Sequence, residues 1–450
     1  MRAPTTKWKA LLALLLATTM VAAACGGRDD DSGSDDGGSG DGDSTEEASE
    51  QLADPALCEE YNGSQGVTDD RILIGNSLPQ SGIFSVFDKV RVGIEGYFEY
   101  ANSQGGVQDR QLELVSLDDQ YLPERTRANV ETLVNDEGVF AMLGNVGTEN
   151  NEQAQLALEE AGQCVPNLSV ATGFPGFGDP ERDPWIINGL PNYALESIAF
   201  AEYLKENQPD ATVAILAQND SFGDSYVEAF EQAIEGTDIT IVDGGVQTFD
   251  PKTQDNPQGQ VTTLAATGAD ALLLGVTSIP CPNALSSVRD SGWDPTIYVT
   301  LTCSSKVLMT LAGDAAEGTI STRATYDPGD PASAEEPSVA EFKEQGAAAG
   351  ISAEDLDDLN VAAGWNFGAY LVQLLEASPE LDRAEVMNTA WNQDGVTFGM
   401  NLEGLEWTTD GATDPFGINQ LQFINRTNGE WVPEGELVDY TEQLEAQIGG

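Results

Sequence analysis

Short apolar runs alternate with longer amphipathic segments along most of the chain. RILIGNS and QLELVSL are typical of strands, and between them VRVGIEGYFEYANSQGG is typical of a helix ending at a glycine pair. The apolar face of ERTRANVETLVNDEG predicts a second helix, which stops at Gly138. VFAMLGN and VPNLSVAT predict two more strands, separated by a helix over residues 153–161.

The same alternation restarts after the segment WIINGLPN. A helix containing residues 198–204 precedes the strand ATVAILAQ, and the amphipathic helix SYVEAFEQAIEG follows it. TDITIVDGG, ADALLLGV and TIYVTL predict three more strands, with a helix ending before Gly268. Two rounds of alternation predict an α/β fold of two lobes, each built on a doubly wound parallel sheet. Ligands of such sheets bind at the carboxyl ends of the strands, near helix N-termini.

The N-terminus has the pattern of a secretory signal. Arg2, Lys7 and Lys9 precede the run ALLALLLATTMVAAA, which is too short and too rich in alanine for a typical membrane span. The run ends at Cys25, and this ending resembles the lipobox of bacterial lipoproteins, where the cysteine is lipidated and becomes the new N-terminus. Ala22 stands where leucine is usual. A plain signal peptide with an incidental cysteine is the alternative.

An acidic stretch rich in glycine and serine follows Cys25. It lacks aromatic and almost all large apolar side chains, so it cannot bury enough surface to fold. Calcium binding is the alternative, but the aspartates lack the spacing of a calcium loop. We predict a signal over residues 1–25 and a solvated tether over 26–67, which holds a folded body at the outer face of a membrane.

The charge of the chain narrows the classes of function. With 19 basic residues, 76 acidic residues and no histidine, the net charge is -57. Nucleic acid is not an expected partner, because no basic patch can release counterions. The absence of histidine excludes Ser-His-Asp and Cys-His catalysis and HExxH zinc sites. Paired carboxylates could hydrolyse glycosides, but no pair stands out among so many acids. We predict no metal and no cofactor.

Four cysteines remain if Cys25 carries lipid, and an even number in an oxidising compartment indicates disulfides. Cys281 and Cys303 each follow a predicted strand, and neighbouring strands can bring them together. Cys58 and Cys164 then pair by elimination. Buried free thiols are the alternative.

The order of the motifs resembles one family from about residue 68 onward. SLPQSGIFSVF follows the first strand, GNVGTENN the third and LSVATGFPG the fourth, and AQNDSFGDSYVEAF opens the second lobe. LAGDAAEGTISTRATYDP is similar to the return to the first lobe in the solute-binding lipoproteins of branched-chain amino-acid type, which serve ABC importers. The resemblance implies a type I periplasmic-binding-protein fold, with a ligand cleft between two lobes joined by a three-crossing hinge.

The resemblance also implies the division of the chain into lobes. The crossings fall near Gly189–Pro191, Thr322–Tyr326 and Phe398–Leu405. Lobe 1 then comprises residues 68–189 and 326–398, and lobe 2 comprises residues 191–322 and 405–450. The late helical segment LDDLNVAAGWNFGAYLVQLLEA belongs to lobe 1 in this arrangement.

The same resemblance implies a ligand site. Thr148 precedes a helix, where its hydroxyl either caps that helix or, as in the family, binds a ligand carboxylate. Thr172 matches a threonine that contacts the ligand carboxylate and amine, and Val170 offers its carbonyl. Phe87 and Phe222 align with aromatic residues that close on the ligand from opposite lobes. The alternative is that these two rings belong to the core.

An acid used by the amino-acid-binding relatives is missing. In those proteins it follows the strand here written TIYVTL and pairs with the ligand ammonium, but this chain has Thr302 and no nearby carboxylate. Thr277 replaces a common aromatic residue. A buried ammonium without an anion is costly, so we favour a small amide, carboxylate or weakly charged solute, and a leucine-like amino acid is the alternative. Asp220 is an alternative anion that the sequence does not place.

These features predict a non-enzymatic receptor, lipid-anchored on the extracytoplasmic side of the cell membrane. It captures a small-molecule solute by hinge closure and delivers it to the permease and ATPase subunits of an ABC importer. A ligand sensor of the same fold, signalling through a membrane partner, is the alternative. A secreted hydrolase dependent on carboxylates is a third candidate.

Overall fold

The computed structural model describes residues 51–411 and 413–448. The predicted signal, Cys25 and the part of the tether before residue 51 lie outside these residues. Within the described ranges, no helix has the length and apolar character needed to cross a membrane.

Lobe 1 is built on a parallel sheet. Its elements are β1 (Arg71–Leu78), α1 (Asp88–Ser103), β2 (Gln111–Asp118), α2 (Pro123–Thr132), β3 (Ala141–Leu143), α3 (Thr148–Ala161), β4 (Asn167–Val170) and β5 (Ile186–Asn188). The strand order is β2-β1-β3-β4-β5. Ile72 and Ile74 belong to one apolar core and Leu73 to another, so both faces of β1 are covered.

Lobe 2 continues the chain with the same alternation. Its elements are α4 (Tyr193–Asn207), β6 (Thr212–Gln218), α5 (Ser221–Ala233), β7 (Thr240–Phe249), α6 (Gln258–Ala265), β8 (Ala271–Gly275), α7 (Pro280–Ser291), β9 (Thr296–Val299), α8 (Lys306–Ala312) and β10 (Ile320–Arg323). All five strands pair in parallel in the order β7-β6-β8-β9-β10.

The chain then returns to lobe 1 and finishes in lobe 2. The returning elements are α9 (Pro337–Ala348), α10 (Leu359–Ala377), α11 (Arg383–Ala390), β11 (Asn392–Val396) and β12 (Trp407–Asp410). α10 packs along α1, and β11 pairs with β12. The final elements are β13 (Gln420–Thr427), β14 (Glu430–Asp439) and α12 (Thr441–Ile448). β13 pairs antiparallel with β10, so the lobe 2 sheet ends in two antiparallel strands. The predicted α/β fold with parallel-sheet lobes is confirmed.

The hinge differs from the prediction at its third crossing. Residues 189–192 join β5 to α4, and residues 324–326 follow β10. At the predicted third crossing, Phe398–Leu405, the chain does run beside this second connection, because Asn401 pairs with Thr325. It then turns back as β12 and enters the lobe 2 sheet only at β13. The predicted boundary at residue 405 is therefore wrong, since β12 pairs with β11 rather than with a strand of lobe 2.

The end of the predicted tether is folded. Ala53 is buried and exchanges backbone hydrogen bonds with the side chain of Asn388. Cys58 is bonded to Cys164, with 5.8 Å between their Cα atoms. The tether prediction is therefore wrong for residues 51–67, because these contacts tie the segment to lobe 1. A second disulfide in lobe 2 joins Cys281 to Cys303, whose Cα atoms are 6.1 Å apart.

Candidate ligand-binding site

A narrow cavity lies between the lobes and extends into the hinge. Its volume is about 140 Å³, enough for roughly ten water molecules. Five of the seven predicted ligand-binding residues line it, namely Phe87, Thr148, Phe222, Thr277 and Thr302. The parallel sheets explain this convergence, because residues that follow the carboxyl ends of β3, β8 and β9 meet at the cleft.

The Thr148 hydroxyl does not cap its helix. α3 begins at Thr148 itself, its N-cap residue is Gly147, and no side chain caps it. The Thr148 Oγ1 lies instead 2.8 Å from the Thr172 Oγ1, and both side chains are buried. The two threonines that the resemblance assigned to a ligand carboxylate are therefore hydrogen-bonded to each other.

Tyr193 completes this threonine pair. The side chain is buried at the start of α4 and lines the cavity. Burial raises the pKa of Tyr193 to about 12, while side-chain hydrogen bonds with Thr172 and Thr148 act in the opposite direction. We call Thr148, Thr172 and Tyr193 the threonine end of the cavity. Its polar atoms satisfy one another.

The Val170 carbonyl is not free for a ligand. It accepts hydrogen bonds from the backbone N–H groups of Gly189, at 2.8 Å, and Thr172, at 2.7 Å. The Val170 side chain packs with Phe177 and Ile186 rather than on the cavity wall. The predicted contact through this carbonyl is therefore not supported, because both of its lone pairs are used within lobe 1.

Aromatic side chains form the wall next to the threonine end. The Tyr121 ring stacks on Phe84 with 3.9 Å between centroids, and the Tyr193 ring meets Phe222 edge-on at 5.0 Å. Asp119 positions Tyr121 by accepting its backbone N–H at 2.8 Å, and burial raises the pKa of this carboxyl to about 6. Sequence reasoning missed Tyr121 and Tyr193. Their placement directly after β2 and after the first crossing was the available signal.

Lobe 2 contributes threonines and a hidden acid. The Thr277 hydroxyl donates to the Thr302 carbonyl at 3.3 Å. Behind them, Glu196 is fully buried and accepts hydrogen bonds from the backbone N–H of Leu301, at 2.7 Å, and from two tyrosine hydroxyls. Burial raises the pKa of Glu196 to about 7. Leu301 lines the cavity but Glu196 does not, so this acid supports the wall from behind.

The carboxylates nearest the cavity are all engaged. Asp220 caps α5 by accepting the Gly223 N–H at 3.0 Å, and it also accepts from Gln218. Asp327 and Asp330 line the cavity, and each accepts two backbone N–H groups. Among the residues that the structure describes, no unpaired carboxylate faces the cavity. Asp220, the alternative anion of the sequence analysis, does not line the cavity.

The hinge end of the cavity is an aromatic cluster. The Tyr370 ring lies 4.7 Å from Trp407 and 5.5 Å from Phe398, measured between centroids. A Cβ atom on Gly417 would come within 2.1 Å of the Trp407 ring, so only glycine allows this packing. We call Tyr370, Asn401 and Trp407 the hinge end. Sequence reasoning missed all three residues, because they come from α10, β12 and an irregular segment.

Comparison with known proteins identifies the family. Residues 71–421 match the family described as periplasmic binding protein. This chain belongs to that family. It is 24% identical over 261 residues to the leucine-, isoleucine-, valine-, threonine-, and alanine-binding protein of Pseudomonas aeruginosa, a match that covers 58% of this chain and 68% of that protein.

Solved structures share the fold of this periplasmic binding protein. A branched chain amino acid ABC transporter protein from Thermus thermophilus, with bound valine, has a TM-score of 0.74 and 19% identity, over 84% of this chain and 100% of that one. The fatty acid ABC transporter substrate-binding protein from Thermomonospora curvata has a TM-score of 0.71 and 18% identity, over 84% of this chain and 96% of that one.

In the part of the chain that the structure describes, one cation, Arg323, lines the cavity of this family member. The side chain donates to the Gln422 Oε1 from Nε, at 3.0 Å, and from Nη2, at 2.8 Å, and lies over the Tyr326 ring. No carboxylate of the described chain lies within 4.0 Å of it. Burial lowers the pKa of Arg323. Tyr326 and more distant acids act in the opposite direction and raise it.

Contacts between the lobes close the mouth of the cleft. The Lys252 Nζ of lobe 2 lies 2.6 Å from a carboxylate oxygen of Glu149 in lobe 1. The Ser221 hydroxyl donates to Glu152 at 2.6 Å. These groups are half-buried at the surface, so they hold the lobes together weakly and reversibly.

Proposed function

We propose that this protein is the extracytoplasmic solute-binding component of an ABC importer and that it binds an elongated, mostly apolar monocarboxylate. The observation that carries the proposal is the hydrogen bonding of the charged groups on the cavity wall. Among the described residues of the wall, the cation Arg323 has a neutral hydrogen-bond partner, whereas the carboxylates of Asp327 and Asp330 are engaged with backbone N–H groups.

An amino acid fits this wall poorly. Its ammonium would be buried next to Thr277 and Thr302, where neither side chain is charged. Its carboxylate would have to displace the Tyr193 hydroxyl from Thr148 and Thr172. Leaving one ion of a buried pair uncompensated typically costs 3–5 kcal/mol, which is on the order of several hundredfold or more in affinity.

The shape of the cavity favours a longer solute. The wall continues past Phe87 and Phe222 at the cleft to Tyr370 and Trp407 at the hinge, and most of its residues are apolar. The relative from Thermomonospora curvata is described as a fatty acid binder and the one from Thermus thermophilus contains valine. The cavity chemistry of this chain supports the first of these solute classes.

Capture would follow from the two-lobe construction. A solute enters when the lobes separate, and closure forms the contacts of Lys252 with Glu149 and of Ser221 with Glu152. The permease and ATPase subunits then accept the solute. No chemical step is required of this chain.

The proposal includes a lipid anchor at Cys25, which would hold the protein on the outer face of the membrane. Cys25→Ser removes the thiol that the lipid would modify, so we expect the variant in the soluble fraction after cell lysis. Membrane fractionation followed by immunoblotting measures this. A variant that stays with the membranes as firmly as the parent protein would refute the anchor but not the solute-binding function.

A calorimetric comparison of three solutes tests the solute class. We expect dodecanoate to bind the purified protein, and dodecylamine and leucine to bind at least 100-fold more weakly, because their ammonium groups find no anion. Dodecylamine matches the chain length of dodecanoate and so isolates the charge. Tight binding of leucine or valine, with dodecanoate silent, would overturn the proposed solute class.

A further inference from the structure

Hydrogen-bond donors at the hinge end lack a well-placed acceptor. The Tyr370 hydroxyl, the Asn401 Nδ2 and the Trp407 Nε1 are buried, and none makes a hydrogen bond of normal geometry in the described chain. The Tyr370 hydroxyl and the Trp407 side chain have only a weak contact with each other. All three residues line the cavity. Buried polar groups are normally paired, and each exception calls for an explanation. Three exceptions at one end of a cavity indicate a site for a bound group.

The orientation of Asn401 is fixed by its neighbours. The Asn401 Oδ1 accepts from the Asn366 Nδ2 at 3.0 Å and from the Thr325 hydroxyl at 3.4 Å. Asn366 is held in turn because its Oδ1 accepts the Met400 N–H at 2.6 Å. A Cβ atom on Gly399, whose φ is 58°, would come within 2.0 Å of that Oδ1, so glycine is required there. The amide oxygen of Asn401 is used, and its N–H₂ group is left over.

The group that these donors would bind is an oxygen acceptor. An indole N–H can only donate, and Asn401 has only its N–H₂ group free. Burial raises the pKa of Tyr370, and a weaker hydrogen bond with Trp407 acts in the opposite direction, so the Tyr370 hydroxyl stays protonated and can donate. Arg323 is the cation of the same cavity wall and favours a negative charge on the acceptor.

We infer that Tyr370, Asn401 and Trp407 bind the carboxylate of the solute, with the apolar chain extending towards the threonine end. This inference rests on the proposed function, because it assigns the carboxylate of the proposed solute to one end of the cavity. The orientation is the reverse of the one implied by the family resemblance, in which Thr148 and Thr172 hold the carboxylate.

Two conservative variants test the hinge end by calorimetry with dodecanoate. Tyr370→Phe removes one oxygen atom, and we expect affinity to fall roughly 10-fold or more, as for loss of a hydrogen bond to a charged group. Asn401→Asp keeps the oxygen that accepts from Asn366 but replaces the N–H₂ donor with a carboxylate oxygen, which repels the carboxylate of the solute. We expect its affinity to fall more than that of Tyr370→Phe.

Matched controls lie away from the cavity. Tyr97→Phe removes a hydroxyl from α1, and Asn62→Asp adds one negative charge at the surface; neither residue lines the cavity. We expect both to bind dodecanoate like the wild type. The melting temperature of each variant shows whether it folds.

A measurement on the wild type does not depend on any variant. In protein labelled with ¹⁵N-tryptophan, dodecanoate should move the Trp407 indole N–H resonance downfield as the N–H gains an acceptor. Trp407→Phe identifies that resonance.

Two results would overturn the inference and are distinguishable. If Tyr370→Phe and Asn401→Asp bind dodecanoate like the wild type and the indole resonance does not move, the carboxylate lies elsewhere and only the hinge assignment fails. If the wild type binds leucine and not dodecanoate, the proposed solute class fails and the hinge assignment fails with it.

Discussion

The two ends of the cavity use similar polar groups in opposite ways. At the threonine end, the hydroxyls of Thr148, Thr172 and Tyr193 are hydrogen-bonded to one another. At the hinge end, the donors of Tyr370, Asn401 and Trp407 have no acceptor at normal hydrogen-bond geometry in the described chain, and Tyr370 and Trp407 share only a weak contact. A count of polar side chains does not distinguish these ends. The hydrogen-bond partners of these side chains distinguish the two ends. A group that folding leaves unpaired gains a hydrogen bond when a ligand binds, whereas a paired group must first give one up.

The difference separates stability from recognition. Removing a polar group that is satisfied within the fold leaves its partner unpaired, which costs free energy of unfolding. Removing a buried group that has no partner leaves nothing unpaired in the free protein. The threonine end should therefore respond to mutation mainly through stability and the hinge end mainly through binding.

The largest effect that we expect is the pH dependence of Glu196, which supports the cavity wall through Leu301. Burial raises its pKa from the ordinary 4.5 to about 7. Between these values the folded state binds more protons than the unfolded state, so the contribution to stability is greatest below pH 4.5 and is lost as the pH rises to 7. The loss is on the order of 3 kcal/mol.

Denaturant unfolding from pH 4.5 to 8 measures this dependence. Glu196→Gln cannot ionise, so we expect a flatter profile than that of the wild type. Asp119, Asp220 and Asp327, whose pKa values burial raises to about 6, keep part of the slope in the variant. The exposed Glu231→Gln is the matched control. Parallel profiles for the wild type and Glu196→Gln would show that this acid does not titrate as described.

A smaller effect tests the comparison of the two ends directly. Thr148→Val removes the hydroxyl that contacts Thr172, and we expect a loss of about 1 kcal/mol in the free energy of unfolding with dodecanoate affinity changed less than about threefold. For Tyr370→Phe we expect the opposite result. Its free energy of unfolding should be unchanged or slightly higher, and its binding of dodecanoate should be weaker. Denaturant unfolding and calorimetry on the same samples provide both values.

The comparison fails if the responses are reversed. A Thr148→Val variant of wild-type stability that no longer binds dodecanoate would place the carboxylate at the threonine end. Destabilisation by Tyr370→Phe would mean that its hydroxyl has a partner within the fold.

Much of the architecture follows from local pattern. Strand runs such as RILIGNS and ATVAILAQ are short and apolar, and the helices between them have one apolar face, so the parallel α/β lobes could be predicted. The tether boundary could not, because the docking of Ala53 on Asn388 joins segments far apart in the chain. The return of β12 to β11 was missed for the same reason.

By itself, the sequence determined the alternating fold, the acidic charge and the absence of a lobe 2 acid after β9, because each depends on residue type and spacing along the chain. Only the tertiary structure decided what the polar residues of the cavity do. From the sequence, Thr148 could cap a helix or hold a ligand; in the folded chain its hydroxyl does not cap α3 and lies against Thr172 and Tyr193. Whether a buried donor is paired depends on distances between remote segments, and such distances exist only once the chain has folded.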